Sequence, residues 1–394
     1  SIGGFTFVAF KTYKMNDMKG KQGMVCMGLL LVLSSCHTGK QITASGLQRK
    51  DFQTEVNGQH TDLFTLSNKQ GMEVCITNYG ARVVSILVPD RNGKREDVVC
   101  GFSTITEYME QRQNFGSTVG RYIGRILNAR FTLDGVEYKL VPNNGKSGHI
   151  SHGGNPGFAD RIWKVEQADT HRVRLSYLSP DGENGFPGNL KVTLVYSLGE
   201  DDNALDLTYE ATTDAPTVLN LSHHSFFNIS GNFTKSVEDQ QLWVDADRFT
   251  PYDDKKCVTG EYLQVAGTPL DFRMPHAIGE CIDADHPQLK VVNGYDHTWE
   301  LNTKGDDTRP AAWVYDPASG RKMEIFTTEP GIQIYTGNGL KGKMTGKRGI
   351  AYPFRSAVCF ETMHFQDSPN QPGFPSTVLR PGEVFHSHTV YKFE

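Results

Sequence analysis

The chain has 394 residues, a net charge of −5, 38% hydrophobic and 22% charged residues, a balance that excludes extended disorder. No long basic run follows residue 50, so the chain lacks the footprint of a nucleic-acid-binding face. Forty glycines, with Val, Thr, Tyr and Phe spread along the chain, suit many strands joined by tight turns.

Near the N-terminus, Lys19 and Lys21 precede an apolar run from Met24 to Leu33, which closes on Leu33-Ser34-Ser35-Cys36. A charged start, a short apolar stretch and small residues at the end read as an export signal beginning at Met18. About ten apolar residues are too few to cross a bilayer as a helix. The Leu-Ser-Ser-Cys ending resembles the lipobox of bacterial lipoproteins. It implies a lipidated Cys36, with membrane attachment through that lipid alone, and an exported bacterial protein that is periplasmic or membrane-anchored. Residues 1–50 are therefore set apart from the fold, and residues 51–394, which show no repeat or linker, are taken as one domain.

From Phe52 onward strand signals dominate. Phe131-Thr132-Leu133-Asp134-Gly135-Val136-Glu137-Tyr138-Lys139-Leu140 is two alternating runs around Asp-Gly, which predicts a hairpin. Leu190, Val192, Leu194, Tyr196 and Leu198 alternate with polar residues; after a turn, Leu205, Leu207 and Tyr209 do the same. This predicts a long antiparallel pair with one buried face. Further strands are expected at 72–78, 81–88, 172–178, 241–246, 311–315, 322–327, 331–336, 356–361 and 389–393. Short helical turns are expected near 103–111 and 274–281. With no βαβ alternation, the fold class is all-β, a large sandwich or barrel.

Several polar groups stand in apolar surroundings. Asn220-Leu221-Ser222-His223-His224-Ser225-Phe226-Phe227-Asn228 sends His223 and His224 to opposite faces of a strand, His224 sharing its face with Asn220 and Ser222. Read alone, these are hydrogen-bonded core histidines or site residues. Ser356-Ala357-Val358-Cys359-Phe360-Glu361 places one carboxylate in an apolar run, to be paired with an arginine or used in catalysis, since an unpaired buried charge is costly. His152 lies in a glycine-rich loop, Arg121 and Arg125 in Gly120-Arg121-Tyr122-Ile123-Gly124-Arg125-Ile126, Asp296 beside aromatics, and Gln333 in a strand. Together they supply polar and aromatic groups for a sugar's hydroxyls and apolar face. His386 and His388 share a strand face, but two histidines are too few for a metal site. Among the cysteines no C-x-x-C pair occurs, and Cys75, Cys100 and Cys359 read as buried small hydrophobes.

The ordered motifs Gly-Arg-Tyr-x-x-Arg-Ile, His-Gly-Gly, Asn-Leu-x-x-His-Ser, Gly-Tyr-Asp-His, Pro-Gly-x-Gln-x-Tyr-Thr-Gly-Asn and Glu-Thr-x-His-Phe-x-Asp-Ser-Pro-Asn resemble the aldose 1-epimerase (galactose mutarotase) family. The match runs from about Gly71 to the C-terminus. The resemblance implies a large antiparallel β-sandwich with a free monosaccharide in a groove on one face. It implies His224 as the acid that protonates the ring oxygen and Glu361 as the base that takes the anomeric hydroxyl proton, starting from a protonated imidazole and an ionised carboxylate. His152 and Arg125 would bind sugar oxygens beside the reacting centre; Asp296 and Gln333 would hold hydroxyls further round the ring. Ring opening needs no redox or covalent step, so no cofactor and no metal are expected. The chain departs from the family pattern at three positions: Gly124 and His223 stand where asparagine is usual, and Met363 where glutamine is usual. Loss of a polar side chain at position 124 predicts broad selectivity among aldoses. The competing readings are an epimerase of a phosphorylated hexose, which would want extra basic groups, and a non-catalytic sugar-binding sandwich.

Overall fold

The computed structural model describes residues 41–394. Cys36 and the apolar run before it lie outside the described residues. Within them no helix is long and apolar enough to cross a membrane.

The predicted pair forms as Leu190–Leu198 and Ala204–Thr213, the second strand running four residues past the predicted stretch, inside a nine-stranded antiparallel sheet. Its strands run in the order Lys164–Ala168, Arg172–Ser179, Leu190–Leu198, Ala204–Thr213, Phe385–Phe393, Lys322–Thr327, Ala312–Tyr315, Gln241–Val244 and His276–Ala277. Leu194 faces Tyr209 and Tyr196 faces Leu207 across the pair, so the apolar residues of both strands stand on one side. A six-stranded antiparallel sheet supplies the opposing layer: Phe226–Phe227, Val358–Met363, Gly331–Tyr335, Asp296–Glu300, Arg248–Thr250 and Leu263–Gln264. Leu194, Tyr196 and Leu207 belong to one buried cluster with Phe227, Trp299, Ile332, Ile334, Val358 and Phe360. The two sheets thus enclose a dry core, as the period-two patterning requires. The Tyr391 hydroxyl ties the layers by donating to the Phe360 carbonyl at 2.9 Å. The Asp134-Gly135 hairpin forms with Val136 opposite Leu133.

Three local expectations meet the structure as follows. Residues 41–50, expected to stand apart, are part of the fold. Leu47 is buried in a cluster with Phe52, Leu63 and Cys75. The Ser45 N–H donates to the Glu73 carboxylate at 3.1 Å, and Arg49 Nε donates to Asp62 at 2.8 Å. One apolar anchor and matched polar groups suffice to dock a segment whose composition shows no strand periodicity. The helical turn expected at 274–281 forms only over Ile278–Glu280, as a 3-10 turn, directly after a two-residue strand, His276–Ala277. The second α-helix lies at Pro287–Val292, opened by its first-position proline and closed by Asn293 in the left-handed region at φ 61°. The helix expected near 103–111 forms as Ile105–Gln111, started by a Thr104–Glu107 capping box.

Candidate active site

The face of the six-stranded sheet turned away from the core carries the polar residues. Along Val358–Met363, Val358 and Phe360 enter the core, while Glu361 and Met363 line an open cavity. Register extends this face across the sheet: Glu361 lies opposite Gln333, and Gln333 opposite Thr298. One step along, Cys359 lies opposite Tyr335 and Tyr335 opposite Asp296. Of these side chains and Met363, the cavity wall takes Asp296, Gln333, Tyr335, Glu361 and Met363. Strand alternation alone therefore assembles much of the site once the register is set.

His224 comes from another strand. Ser222–His224 pairs with Ser117–Val119, His224 opposite Ser117. The predicted opposition of the two histidines holds. His223 turns inward, its Nε2 2.7 Å from the Ser225 hydroxyl and its ring 6.2 Å from that of Tyr391. His224 turns to the cavity, stacked on Phe226 with 5.0 Å between ring centroids. Its Nε2 lies 3.3 Å from Glu361 Oε1, and the two side chains are only 7% and 5% exposed. Glu361 therefore has a histidine, not an arginine, as its partner.

Burial acts on this pair in a definite direction. Removal from water, with the Asp296 carboxylate adding to it, holds the Glu361 carboxyl well above its usual range. Burial, with the neighbouring His152 adding to it, holds the His224 imidazole well below its usual range. An ion pair at 3.3 Å would pull both the other way; with both groups enclosed and no lysine or arginine paired with Glu361 among the described residues, desolvation is the larger effect. Both directions favour the neutral forms, a protonated carboxyl beside a neutral imidazole. Those neutral forms carry the same number of protons as an ionised glutamate beside a protonated histidine, the starting state that the resemblance implies.

His152 follows the Ile150–Ser151 strand, which pairs with Arg125–Ile126. It adopts φ 52°, and its N–H donates to the Gly124 carbonyl at 2.9 Å. The glycines after it have a steric cause: a Cβ on Gly153 would stand 1.9 Å from the Gly120 carbonyl oxygen. The His152 ring meets that of His224 edge to face at 5.6 Å. Burial, with Arg125 nearby, pushes its pKa down to about 4, so it is a neutral hydrogen-bonding group, and its Nδ1 has no partner among the described residues. Arg125 is half-buried in the cavity wall. Arg121 is buried elsewhere, as a structural tie. It donates to the Ser179 hydroxyl and to the carbonyls of Ser179, Pro180, Pro187 and Gly188. Asp296 accepts from Gln333 Nε2 at 2.7 Å, and burial raises its pKa.

The cavity thus gathers His152, His224, Glu361, Arg125, Asp296 and Gln333, every residue that the sequence points to for it. It also gathers Gln113, Asn114, Ser151, Phe226, Tyr335 and Gln366, to which the sequence assigns no role. Tyr335 and Gln366 stand inside the recognisable motifs and Phe226 directly after one; Gln113 and Asn114 give no signal. Cys359, read as a small core residue, is buried but places Sγ 3.6 Å from His224 Nδ1. Cys359, His224 and Glu361 bring one possible metal ligand each within 4.8 Å. The thiol and the carboxylate, however, address different nitrogens of one imidazole, and burial holds the thiol pKa well up. That is a hydrogen-bonded chain, not three donors converging on an ion. Of the His386 and His388 pair, His388 has both ring nitrogens engaged, by Asp307 at 2.7 Å and Asp206 at 3.1 Å.

Comparison with known proteins gives one answer. The sequence model of the family described as aldose 1-epimerase matches residues 62–392. The galactose mutarotase of Bos taurus is 40% identical over 331 residues, 84% of this chain and 93% of that protein. The aldose 1-epimerase of Escherichia coli is 36% identical over 340 residues, 86% of this chain and 96% of that protein. Among solved structures, the GalM/aldose epimerase homologue from C. elegans superposes with a TM-score of 0.78 at 31% identity, covering 85% of this chain and 99% of that one. The galactose 1-epimerase from Lactobacillus acidophilus gives 0.75 at 28% identity, covering 86% and 96%.

Proposed function

Since this chain belongs to the aldose 1-epimerase family, we propose that His224 and Glu361 carry out its reaction as a single proton-sharing pair. The protein is an isomerase that interconverts the α and β anomers of free aldoses. The observation that carries the assignment of roles is the 3.3 Å contact between Glu361 Oε1 and His224 Nε2 in the cavity wall.

The sugar enters with its anomeric hydroxyl at Glu361 and its ring oxygen at His224. The shared proton crosses to His224, leaving Glu361 ionised. Glu361 then takes the hydroxyl proton while His224 gives its proton to the ring oxygen, and the bond from anomeric carbon to ring oxygen breaks. The anomeric oxygen becomes the aldehyde oxygen and the ring oxygen a hydroxyl. Opening leaves a protonated carboxyl beside a neutral imidazole, the state that burial favours. The aldehyde turns about its adjacent carbon–carbon bond. Reclosure on the other face returns one proton from Glu361 to the anomeric oxygen and one from the new hydroxyl to His224. Each positioned acid or base contributes about 10²–10⁴-fold. Neutral His152 and the Arg125 guanidinium hold sugar oxygens beside this centre, and Asp296 and Gln333 hold hydroxyls further round the ring.

Charge supports a free sugar over a phosphorylated one. Arg125 is the one lysine or arginine in the cavity wall among the described residues, facing two acids, Asp296 and Glu361. A dianionic phosphate would need more cations there. The test is NMR of freshly dissolved α-glucose and α-galactose with and without the protein. Accelerated exchange is expected for at least one; exchange at the uncatalysed rate for both, with intact binding, would favour a non-catalytic sugar-binding sandwich.

A second proposal concerns location. Leu33-Ser34-Ser35-Cys36, closing an apolar run after Lys19 and Lys21, supports Cys36 as a lipidated mature N-terminus and an exported, membrane-attached protein. Expression from Met18 in a bacterium should give fatty-acid labelling that Cys36→Ala abolishes. Equal labelling, or none in the wild type, would sink the idea.

A further inference from the structure

Gly124 and Gln366 compete for one volume. Gly124 sits at φ +75°, and a Cβ built on it would stand 2.5 Å from Gln366 Cγ and 3.0 Å from Gln366 Cδ. Any side chain at position 124 would have to displace the glutamine. Gln366 is 4% exposed and lines the cavity with Arg125, Asp296 and Gln333.

Its carboxamide is oriented and nearly saturated. The Arg125 backbone N–H donates to Oε1 at 3.2 Å, which settles which end is oxygen. Nε2 donates to the Tyr252 hydroxyl at 2.7 Å. Its remaining hydrogen points to Gln333 Oε1 at 3.4 Å, the outer limit of a hydrogen bond, and that oxygen already accepts from Thr298. Gln333 in turn holds Asp296. One weakly engaged donor therefore remains, on a rigid amide in the wall of the sugar site.

We propose that Gln366 is a substrate-contacting, specificity-determining residue, whose amide fills the space vacated at position 124 and donates to one hydroxyl of the bound aldose. The inference rests on the epimerase reading above. It also replaces the expectation of broad selectivity, because the polar contact missing at Gly124 is supplied from another strand end. A site with a committed hydroxyl partner rejects sugars lacking that hydroxyl.

The test uses Gln366→Met, which keeps the volume and removes the donor, and the pair Gln366→Ala and Gly124→Asn/Gln366→Ala. Asparagine is chosen because it tolerates a positive φ. Anomer exchange is followed by NMR for a hexose and its analogues deoxygenated at one of the hydroxyls on carbons 2, 3, 4 and 6. For Gln366→Met, kcat/KM on the parent hexose should fall about tenfold, the scale of one lost hydrogen bond, mainly through KM. Wild type should discriminate against one analogue in particular; the variant should lose that discrimination and keep the others. Gly124→Asn/Gln366→Ala should recover activity over Gln366→Ala alone. Values for Gln366→Met within about twofold of wild type, or equal losses on every analogue, would overturn the proposal. So would a double variant no better than Gln366→Ala. Calorimetric binding of the analogue lacking the anomeric hydroxyl, which cannot react, should weaken in Gln366→Met by the same factor. This reads the contact even if wild type fails to exchange anomers, a failure that would count against the epimerase reading alone.

Discussion

The two faces of the strand Val358–Met363 are one residue apart in sequence and opposite in chemistry. Val358 and Phe360 pack into the dry core between the sheets. Cys359, Glu361 and Met363 are equally buried, but Glu361 and Met363 line a cavity whose neighbouring strands bring Gln333, Tyr335 and Asp296 into the same rows. The core face is organised for stability: its side chains have apolar neighbours, and truncation leaves a hole. The site face keeps a carboxylate and an imidazole out of water without a counter-cation, an arrangement that stabilises nothing and holds a proton ready to move. Burial alone does not tell the two apart; the polarity of the next strand does.

Opposite responses to substitution are expected from the two faces. Glu361→Gln and His224→Gln should each lower kcat about 10²–10⁴-fold with little change in KM. Their losses should not add in the double variant, since neither transfer is useful alone. Thermal midpoints should stay level or rise, because an ionisable group that burial disfavours has gone. NMR exchange at saturating sugar and a melting curve check both; a single variant retaining more than roughly a tenth of wild-type kcat would remove that residue from its role. Phe360→Ala, its side chain on the other face, should do the reverse. It should cost roughly 3–5 kcal/mol in denaturant unfolding, while activity per folded molecule stays within about twofold.

The two arginines of Gly120-Arg121-Tyr122-Ile123-Gly124-Arg125-Ile126 carry the same contrast into one loop. Arg121→Met should cost about 3 kcal/mol or more, since it strands the carbonyls of Ser179, Pro180, Pro187 and Gly188. Arg125→Ala should raise KM and leave stability within about 0.5 kcal/mol. Equal effects from the two would show that the division between tie and ligand is wrong.

The smallest effect expected is in the pH profile, and its sign follows from burial. Activity needs one proton on the pair. A second proton must go to His224, whose pKa is lowered, so the acid limb should lie below the ordinary imidazole value of 6.5. The shared proton leaves Glu361, whose pKa is raised, so the alkaline limb should lie well above the ordinary carboxyl value of 4.5. The log kcat/KM profile should be a plateau between them; an acid limb centred at or above 6.5 would contradict the direction of the His224 shift.

Much of this molecule is legible along its chain. Alternation at 190–198 and 204–209 names the inner face of the large sheet. The opposition of His223 and His224 follows from a two-residue period, and Glu361 stands out as the lone acid in an apolar run. Each is a local property, because a strand's side chains alternate whatever it pairs with. The docking of residues 41–50 is not legible in the same way, because a polar segment held by Leu47 and a few matched hydrogen bonds has no periodic signature.

The all-β class, the polar residues of the site and the acid and base among them are therefore written in the order of residues, through periodicity and side-chain chemistry. Folding in three dimensions adds what no stretch of chain contains: burial favours the neutral forms of Glu361 and His224, Cys359 touches the back of His224, and Gln366 fills the space at Gly124. These depend on burial and on register between strands far apart in sequence, and a shift of one residue in the pairings that carry Cys359, Glu361 and His224 would send those side chains to the other face.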